Sequence, residues 1–186
     1  MDYATVTRDH RTFRLILRAM SRPGEVQGLL GCGDEEGGLV DLLRPLIDSV
    51  TRVAVLGDQR LAEELAQSCQ CPLAMTAEAD FIVVTPGADT APLEDCRRGD
   101  LLYPDGGATL LYLVDDLAQD EAGTLLSGPG IDGTIRLHIG GLGEGELARL
   151  ARLNGEFPLG VDAMFFAPRG GGQLACIPRS TRIGGR

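Results

Sequence analysis

Three short apolar segments restrict the fold of this chain more than any other feature. They read RVAVLGD, ADFIVVTPG and ATLLYLVDD, and each is rich in aliphatic residues and bounded by glycine, proline or acidic residues. The amphipathic sequence DQRLAEELAQS follows the first of them and predicts a helix. Because apolar strands that alternate with helices form sheets covered on both faces, we expect an α/β fold with a mixed β-sheet flanked by helices. The length, 186 residues, predicts a single domain over 1–186.

The N-terminal region predicts two more helices. In the first, Thr7 or Asp9 is a candidate N-cap, and Pro23-Gly24 marks the end. Pro45 falls inside the second and predicts a kink or a break there. The inward face of the first helix is expected to carry the apolar residues that recur at helical spacing, namely Phe13, Ile16, Leu17 and Met20.

The C-terminal third has a more antiparallel pattern. The segments TLLSGPGI and GTIRLHIG are joined by a compact glycine-rich connection and predict a hairpin. The sequence EGELARLARL predicts a helix, and its early glutamates complement the helix dipole. Two further strands are predicted in VDAMFFAP and QLACIPRST.

The hairpin connection contains a proline followed by glycine, which is typical of a type II turn. The same pair occurs at Pro23-Gly24 and at Pro86-Gly87. A phosphate-binding loop would run into the N-terminus of a helix, whereas this stretch is followed by a predicted strand. We therefore interpret it as a turn, formed by Ser127, Gly128, Pro129 and Gly130.

Charge and composition exclude several functions. The net charge is −10, which argues against a nucleic-acid partner. All 17 basic residues are arginines, so this chain alone supplies no lysine for a pyridoxal Schiff base or a phosphate-binding loop. We find neither a signal peptide nor an apolar run long enough to cross a membrane, and we expect a cytoplasmic protein.

Histidine and cysteine patterns do not predict a metal site or an evident nucleophile. His10 and His138 are the only histidines and have no third candidate ligand nearby. The five cysteines are scattered. Cys96 and Cys176 each lie close to arginines, so a reactive thiol stays possible at either, although Cys176 is more typical of a small core residue.

The segment IPRSTRI is the most chemically suggestive in the chain. It places Arg179, Ser180, Thr181 and Arg182 at the end of a predicted strand. Guanidinium groups and hydroxyls of this kind bind a carboxylate or phosphate, or form contacts between subunits, and we favour the second role. Asp162, at the start of another strand, is either a catalytic acid or a cap for local amides, and capping is favoured because no partner group is evident.

Four segments, taken together, resemble the PhnH family. They are FRLILRAMSRPG (13–24), LLSGPGI (125–131), FPLGVD (157–162) and IPRSTRI (177–183). Their order and spacing match that family over nearly the whole chain, while 31–107 matches only in pattern. PhnH is a subunit of the carbon–phosphorus lyase system, which breaks down phosphonates in bacteria.

The resemblance implies a fold similar to the large domain of pyridoxal-phosphate-dependent transferases, without the cofactor site. It implies association with PhnG, PhnI and PhnJ subunits in a core complex. That complex couples an alkylphosphonate to the ribose C1 of ATP and displaces adenine. The family has no assigned catalytic residue, so none is transferred to this chain, and no cofactor is expected.

Two hypotheses follow. The first is a structural or jointly catalytic subunit that forms a homodimer and binds partner chains. The alternative is an autonomous enzyme acting on a phosphorylated ligand bound by Arg179 and Arg182, which the net charge disfavours because it would repel ATP. Under the first, replacing both arginines with alanine is expected to weaken association more than folding.

Overall fold

The structure is a computed structural model that describes residues 3–29 and 35–184, and in these it contains four α-helices and ten β-strands. The helices are α1 (Tyr3–Ser21), α2 (Glu35–Leu43), α3 (Gln59–Cys69) and α4 (Glu146–Leu153). The strands are β1 (Gln27–Gly28), β2 (Val53–Leu56), β3 (Phe81–Val84), β4 (Thr109–Leu113), β5 (Asp116–Ala118), β6 (Thr124–Ser127), β7 (Ile135–Gly140), β8 (Asp162–Ala167), β9 (Gln173–Ile177) and β10 (Arg182–Ile183).

The larger sheet has six strands in the order β1-β9-β8-β4-β3-β2. The three apolar segments form β2, β3 and β4, which are parallel to one another and to β8. Strand β9 returns antiparallel to β8, and β1 pairs antiparallel with β9 at the edge. The expected α/β fold with a mixed sheet is therefore confirmed.

The antiparallel strands of the C-terminal third form a second sheet, which the sequence did not predict. Its order is β10-β6-β7-β5, and each neighbouring pair is antiparallel. The predicted hairpin is confirmed as β6 and β7. Strand β5 was not expected, because its three residues directly follow the buried β4 segment and have no separate apolar run.

The larger sheet lies between two apolar layers because its side chains alternate between its faces. Val83 and Leu111 pack with residues of α1, α2 and α3. Their neighbours Ile82 and Leu110 pack on the opposite face, with the smaller sheet and α4. All four side chains are fully buried, and such burial contributes about 1.5–3 kcal/mol for each.

The helix boundaries follow from local chemistry. Asp58 caps α3 by accepting the backbone N–H groups of Arg60 and Leu61 at 2.9 and 3.1 Å. Helix α2 ends before Pro45, which restricts the preceding residue and has no N–H to donate. The caps predicted for α1 are wrong, because Thr7 and Asp9 lie inside a helix that already includes Tyr3.

The inward face predicted for α1 is only partly correct. Ile16 is buried and Met20 is half-buried against the helical layer, but Phe13 and Leu17 are exposed. The four residues recur three or four positions apart and share one broad apolar face, and the fold covers only part of that face.

Candidate functional site

The segment that resembles the PhnH signature at the C-terminus links the two sheets. Strand β9 ends at Ile177, and the chain then turns through a hydrogen bond from Thr181 N–H to the Pro178 carbonyl, at 2.9 Å. Arg182 and Ile183 leave the larger sheet and pair with β6 of the smaller one. The four polar residues singled out in the sequence therefore lie at the junction of the sheets.

Arg179 is held by an internal ion pair with Asp162, the first residue of β8. Its Nη2 lies 2.6 Å from Asp162 Oδ2, and its Nε donates to the same carboxylate at 3.2 Å. Its backbone N–H also donates to Asp162 Oδ1 at 2.8 Å, and its Nη1 donates to the Pro104 carbonyl. Asp162 thus caps a local amide, and the Arg179 guanidinium is occupied by contacts within the chain.

The turn from Gly128 to Ile131 has the features of type II. The Ile131 N–H donates to the Gly128 carbonyl at 3.1 Å, and Gly130 has a φ of +84°. The same geometry is found at Pro23-Gly24 and Pro86-Gly87, so all three predicted turns are confirmed. Strand β7 follows the turn, which excludes the arrangement of a phosphate-binding loop.

This turn packs against two of the other family segments. A Cβ at Gly130 would lie 2.4 Å from the Ser21 carbonyl oxygen, at the end of α1. A Cβ at Gly128 would lie 3.0 Å from the Ser180 carbonyl oxygen. Glycine is therefore required at Gly130 both for its left-handed backbone and for the close approach of α1.

The remaining family segment, 157–162, is fixed by hydrogen bonds that two of its backbone N–H groups donate. Val161 N–H donates to Asn154 Oδ1 at 2.7 Å, and Gly160 N–H donates to the Arg98 carbonyl at 2.9 Å. Phe157 precedes these contacts and is two-thirds exposed, at 66%. The segment thereby connects the end of α4 to the start of β8.

Three of the family segments, 125–131, 157–162 and 177–183, contribute to the lining of a surface depression of about 700 Å³, which we call the arginine cleft. Among the described residues its lining has no His, Cys, Asp or Glu. The cleft is close to Asp162 and therefore lies at the amino-terminal edge of the parallel strands, opposite the edge where open α/β sheets commonly bind ligands. Its main lining residues are Pro129, Asn154, Phe157, Arg179, Thr181 and Arg182.

Two polar groups at the arginine cleft are buried without a hydrogen-bond partner in the described chain. They are Thr181 Oγ1 and Asn154 Nδ2. Arg182 is exposed in the same lining, and Ser180 is half-buried. Both unpaired groups can donate a hydrogen bond, so an external acceptor would satisfy them.

A second polar cluster, centred on Glu146, was missed by sequence reasoning. Its carboxylate is 3% exposed and accepts hydrogen bonds from Thr90 Oγ1 at 2.7 Å, Tyr112 OH at 3.0 Å and Arg149 Nε at 3.2 Å. Burial, followed by the nearby Glu146 charge, raises the pKa of Tyr112. The cluster joins α4 to β4, and the only signal in the sequence was a glutamate at the start of a helix.

The cysteines and histidines of the described chain do not form a reactive centre. Cys69, Cys71, Cys96 and Cys176 are buried free thiols, and Cys32 lies outside the described residues. Burial raises the pKa of Cys96 to about 11 and also raises that of Cys176, which opposes thiolate formation. The prediction that Cys176 is a core residue is confirmed.

No metal site or membrane-spanning helix is found within the described ranges. His10 is exposed, and His138 lies 3.6 Å from Asp116 at a half-exposed position. No group of three or more potential ligands that could hold a metal ion occurs among residues 3–29 and 35–184. In the same ranges no helix is both long and apolar enough to span a bilayer.

These features define an α/β protein with a mixed central sheet, a smaller antiparallel sheet and a surface cleft at their junction. A family model described as "Bacterial phosphonate metabolism protein (PhnH)" matches residues 3–184. The chain therefore belongs to the PhnH family. The chain is also 29% identical, over 183 residues, to the "Putative C-P lyase subunit protein HtxG" of Stutzerimonas stutzeri, and the match covers 95% of this chain and 86% of that relative.

Proposed function

We propose that this chain is a subunit of a carbon–phosphorus lyase complex that acts in phosphonate catabolism. Membership of the PhnH family supports this function, as does the similarity to a relative whose name describes a C-P lyase subunit. In this proposal the complex couples an alkylphosphonate to the ribose C1 of ATP and releases adenine. The chain itself is a structural or jointly catalytic component.

The proposed partners are PhnG-, PhnI- and PhnJ-type subunits, together with a second copy of this chain in a homodimer. We further propose that 1–186 forms one PhnH-like domain in the cytoplasm. Its larger sheet would correspond to the large domain of pyridoxal-phosphate-dependent transferases without the cofactor site. The absence of lysine agrees with the loss of that chemistry.

The position of the arginine cleft carries this proposal. Three of the four family segments line it, yet the described lining offers no carboxylate, imidazole or thiol to transfer a proton. Arg179 is already bound by Asp162. Residues that define a family but form no acid–base set are better suited to contacts with partner chains than to independent catalysis.

Adenine release provides the test. The purified chain is incubated with ATP and methylphosphonate, first alone and then with the PhnG-, PhnI- and PhnJ-type subunits from the same genome. We expect adenine only from the complete mixture, and less when this chain is omitted. Turnover by the chain alone would refute the subunit proposal, as would full turnover by the other three subunits without it.

A second candidate function is binding of a phosphorylated ligand by this chain alone. It is favoured by the unpaired donors Thr181 Oγ1 and Asn154 Nδ2 beside the exposed Arg182, since phosphate oxygens would accept from all three. Calorimetric titration with ATP tests it. Saturable binding that is lost in Arg182→Ala but kept in Arg60→Ala, an exposed arginine on α3, would support this function.

A further inference from the structure

Helix α1 exposes an apolar stripe that the fold does not cover. Val6, Phe13 and Leu17 are 49%, 39% and 51% exposed. Their spacing, with His10 between Val6 and Phe13, follows the alternating steps of three and four residues that keep side chains on one face of a helix. The neighbouring part of the helix surface, which includes Ile16, is packed against α2 and the larger sheet.

A row of arginines runs beside this stripe. Arg11, Arg14 and Arg18 are exposed, and in the described chain none of them has a carboxylate within ion-pair distance. Arg8 differs, because it pairs with Asp41 of α2 at 3.3 Å. Like charges three and four residues apart destabilise a helix, so the row is unfavourable in the isolated chain.

We propose that the outer face of α1 is a docking surface for an acidic groove on a partner protein. The groove would receive Phe13 and Leu17 in an apolar floor and place carboxylates opposite Arg11, Arg14 and Arg18. This inference rests on the proposed function and deepens it, because it identifies the surface of this chain that binds the partner and the charge of the partner's groove. The exposed positive row lies directly beside the apolar stripe, and its complementarity with an acidic partner carries the argument.

Two other occupants fit these observations less well. Symmetric pairing with α1 of a second copy would bury the apolar stripe, but α1 has one acidic residue, Asp9, to set against the three arginines of each row. An anionic membrane surface would attract the row, but the chain as a whole carries ten excess negative charges and would be repelled.

The experiment measures binding of the full chain to the assembled PhnG-, PhnI- and PhnJ-type subunits by surface plasmon resonance. In the test variant Phe13→Ser is combined with Leu17→Ser. The matched control combines Val50→Ser with Met75→Ser, which are 77% and 71% exposed on other parts of the surface. We expect the test variant to bind roughly tenfold more weakly or worse, and the control to bind like the wild type.

A charge variant, Arg14→Glu with Arg18→Glu, tests the second half of the proposal. It is expected to weaken binding by a similar factor and to reduce the salt dependence of the dissociation constant. Because all four substituted residues are exposed, circular dichroism melts should match the wild type within a few degrees.

The outcomes separate the inference from the proposed function. If wild-type chain does not bind the three subunits, the proposed function fails. If it binds and both α1 variants bind equally well, the docking inference is overturned while the function stands. A native mass that drops from dimer to monomer only in the Phe13 and Leu17 variant would overturn it in favour of a second copy. Binding to phosphatidylglycerol vesicles that is lost in the charge variant would overturn it in favour of a membrane.

Discussion

Replacing Gly130 with alanine should destabilise the chain because α1 ends directly against the type II turn. The new Cβ would meet the Ser21 carbonyl oxygen at 2.4 Å and Pro23 Cδ at 2.9 Å, both closer than real Cβ contacts. Gly133 provides a matched control in the same connection between β6 and β7. It also has a positive φ, +73°, but a Cβ there would have open space around it.

Both variants carry the same backbone penalty, but only Gly130→Ala also carries an overpacking penalty. An alanine in the left-handed region costs about 1–2 kcal/mol, and this applies at Gly130 and Gly133 alike. Overpacking adds about 1–3 kcal/mol at Gly130 alone. We therefore expect Gly130→Ala to lower the free energy of unfolding by about 1–3 kcal/mol more than Gly133→Ala in urea titrations, with about 2–4 °C in melting temperature for each kcal/mol. Equal losses would refute the close contact between the turn and α1.

Three further predictions concern the polar groups of the chain. The internal ion pair with Asp162 changes the expectation for Arg179: Arg179→Ala should destabilise folding by about 3 kcal/mol in urea, because a largely buried pair is broken. Arg182→Ala should leave folding unchanged and weaken only association measured by native mass spectrometry; equal folding losses would contradict this. Burial raises the pKa of Cys96 to about 11. The protonated thiol therefore stabilises the folded state below pH 9, and this stabilisation is lost as the pH rises from 9 to 11, because the unfolded chain releases the proton first. Urea titrations of Cys96→Ala across that interval should therefore show a shallower decline than wild type, and parallel declines would be contrary evidence. Tyr112→Phe should lower the free energy of unfolding by about 1 kcal/mol, because it removes one hydrogen bond. Glu146→Ala should lower it by about 3 kcal/mol, because it leaves several buried groups unpaired. A larger loss for Tyr112→Phe than for Glu146→Ala would contradict the role of the carboxylate.

Local chemistry explains the parts of the fold that were predictable from sequence. Three buried strands rich in aliphatic residues and three proline–glycine turns depend on short-range preferences, and all of them were located correctly. The end of α2 before Pro45 likewise depends on a short-range preference and was predicted. These features need no information about distant residues.

Long-range pairing explains the parts that were missed. The division into two sheets depends on β10 joining β6, which are far apart in sequence. The exposure of Phe13 depends on how much of the apolar face of α1 is covered by α2 and the sheet, which helical spacing alone does not show. The arginine cleft was likewise unpredictable as a unit, although all four residues of 179–182, together with Asp162, were recognised as chemically capable of binding or capping.

The pairing of the chain ends has a consequence for folding during synthesis. Among the described residues β1 pairs with β9, and β10 closes the edge of the smaller sheet, so neither sheet is complete until β9 and β10 have left the ribosome. Contacts that join residues so distant in sequence slow folding, because loop closure must precede any gain from pairing. The apolar strands synthesised earlier keep an unpaired edge, so the nascent chain is exposed to aggregation until β9 and β10 have been synthesised.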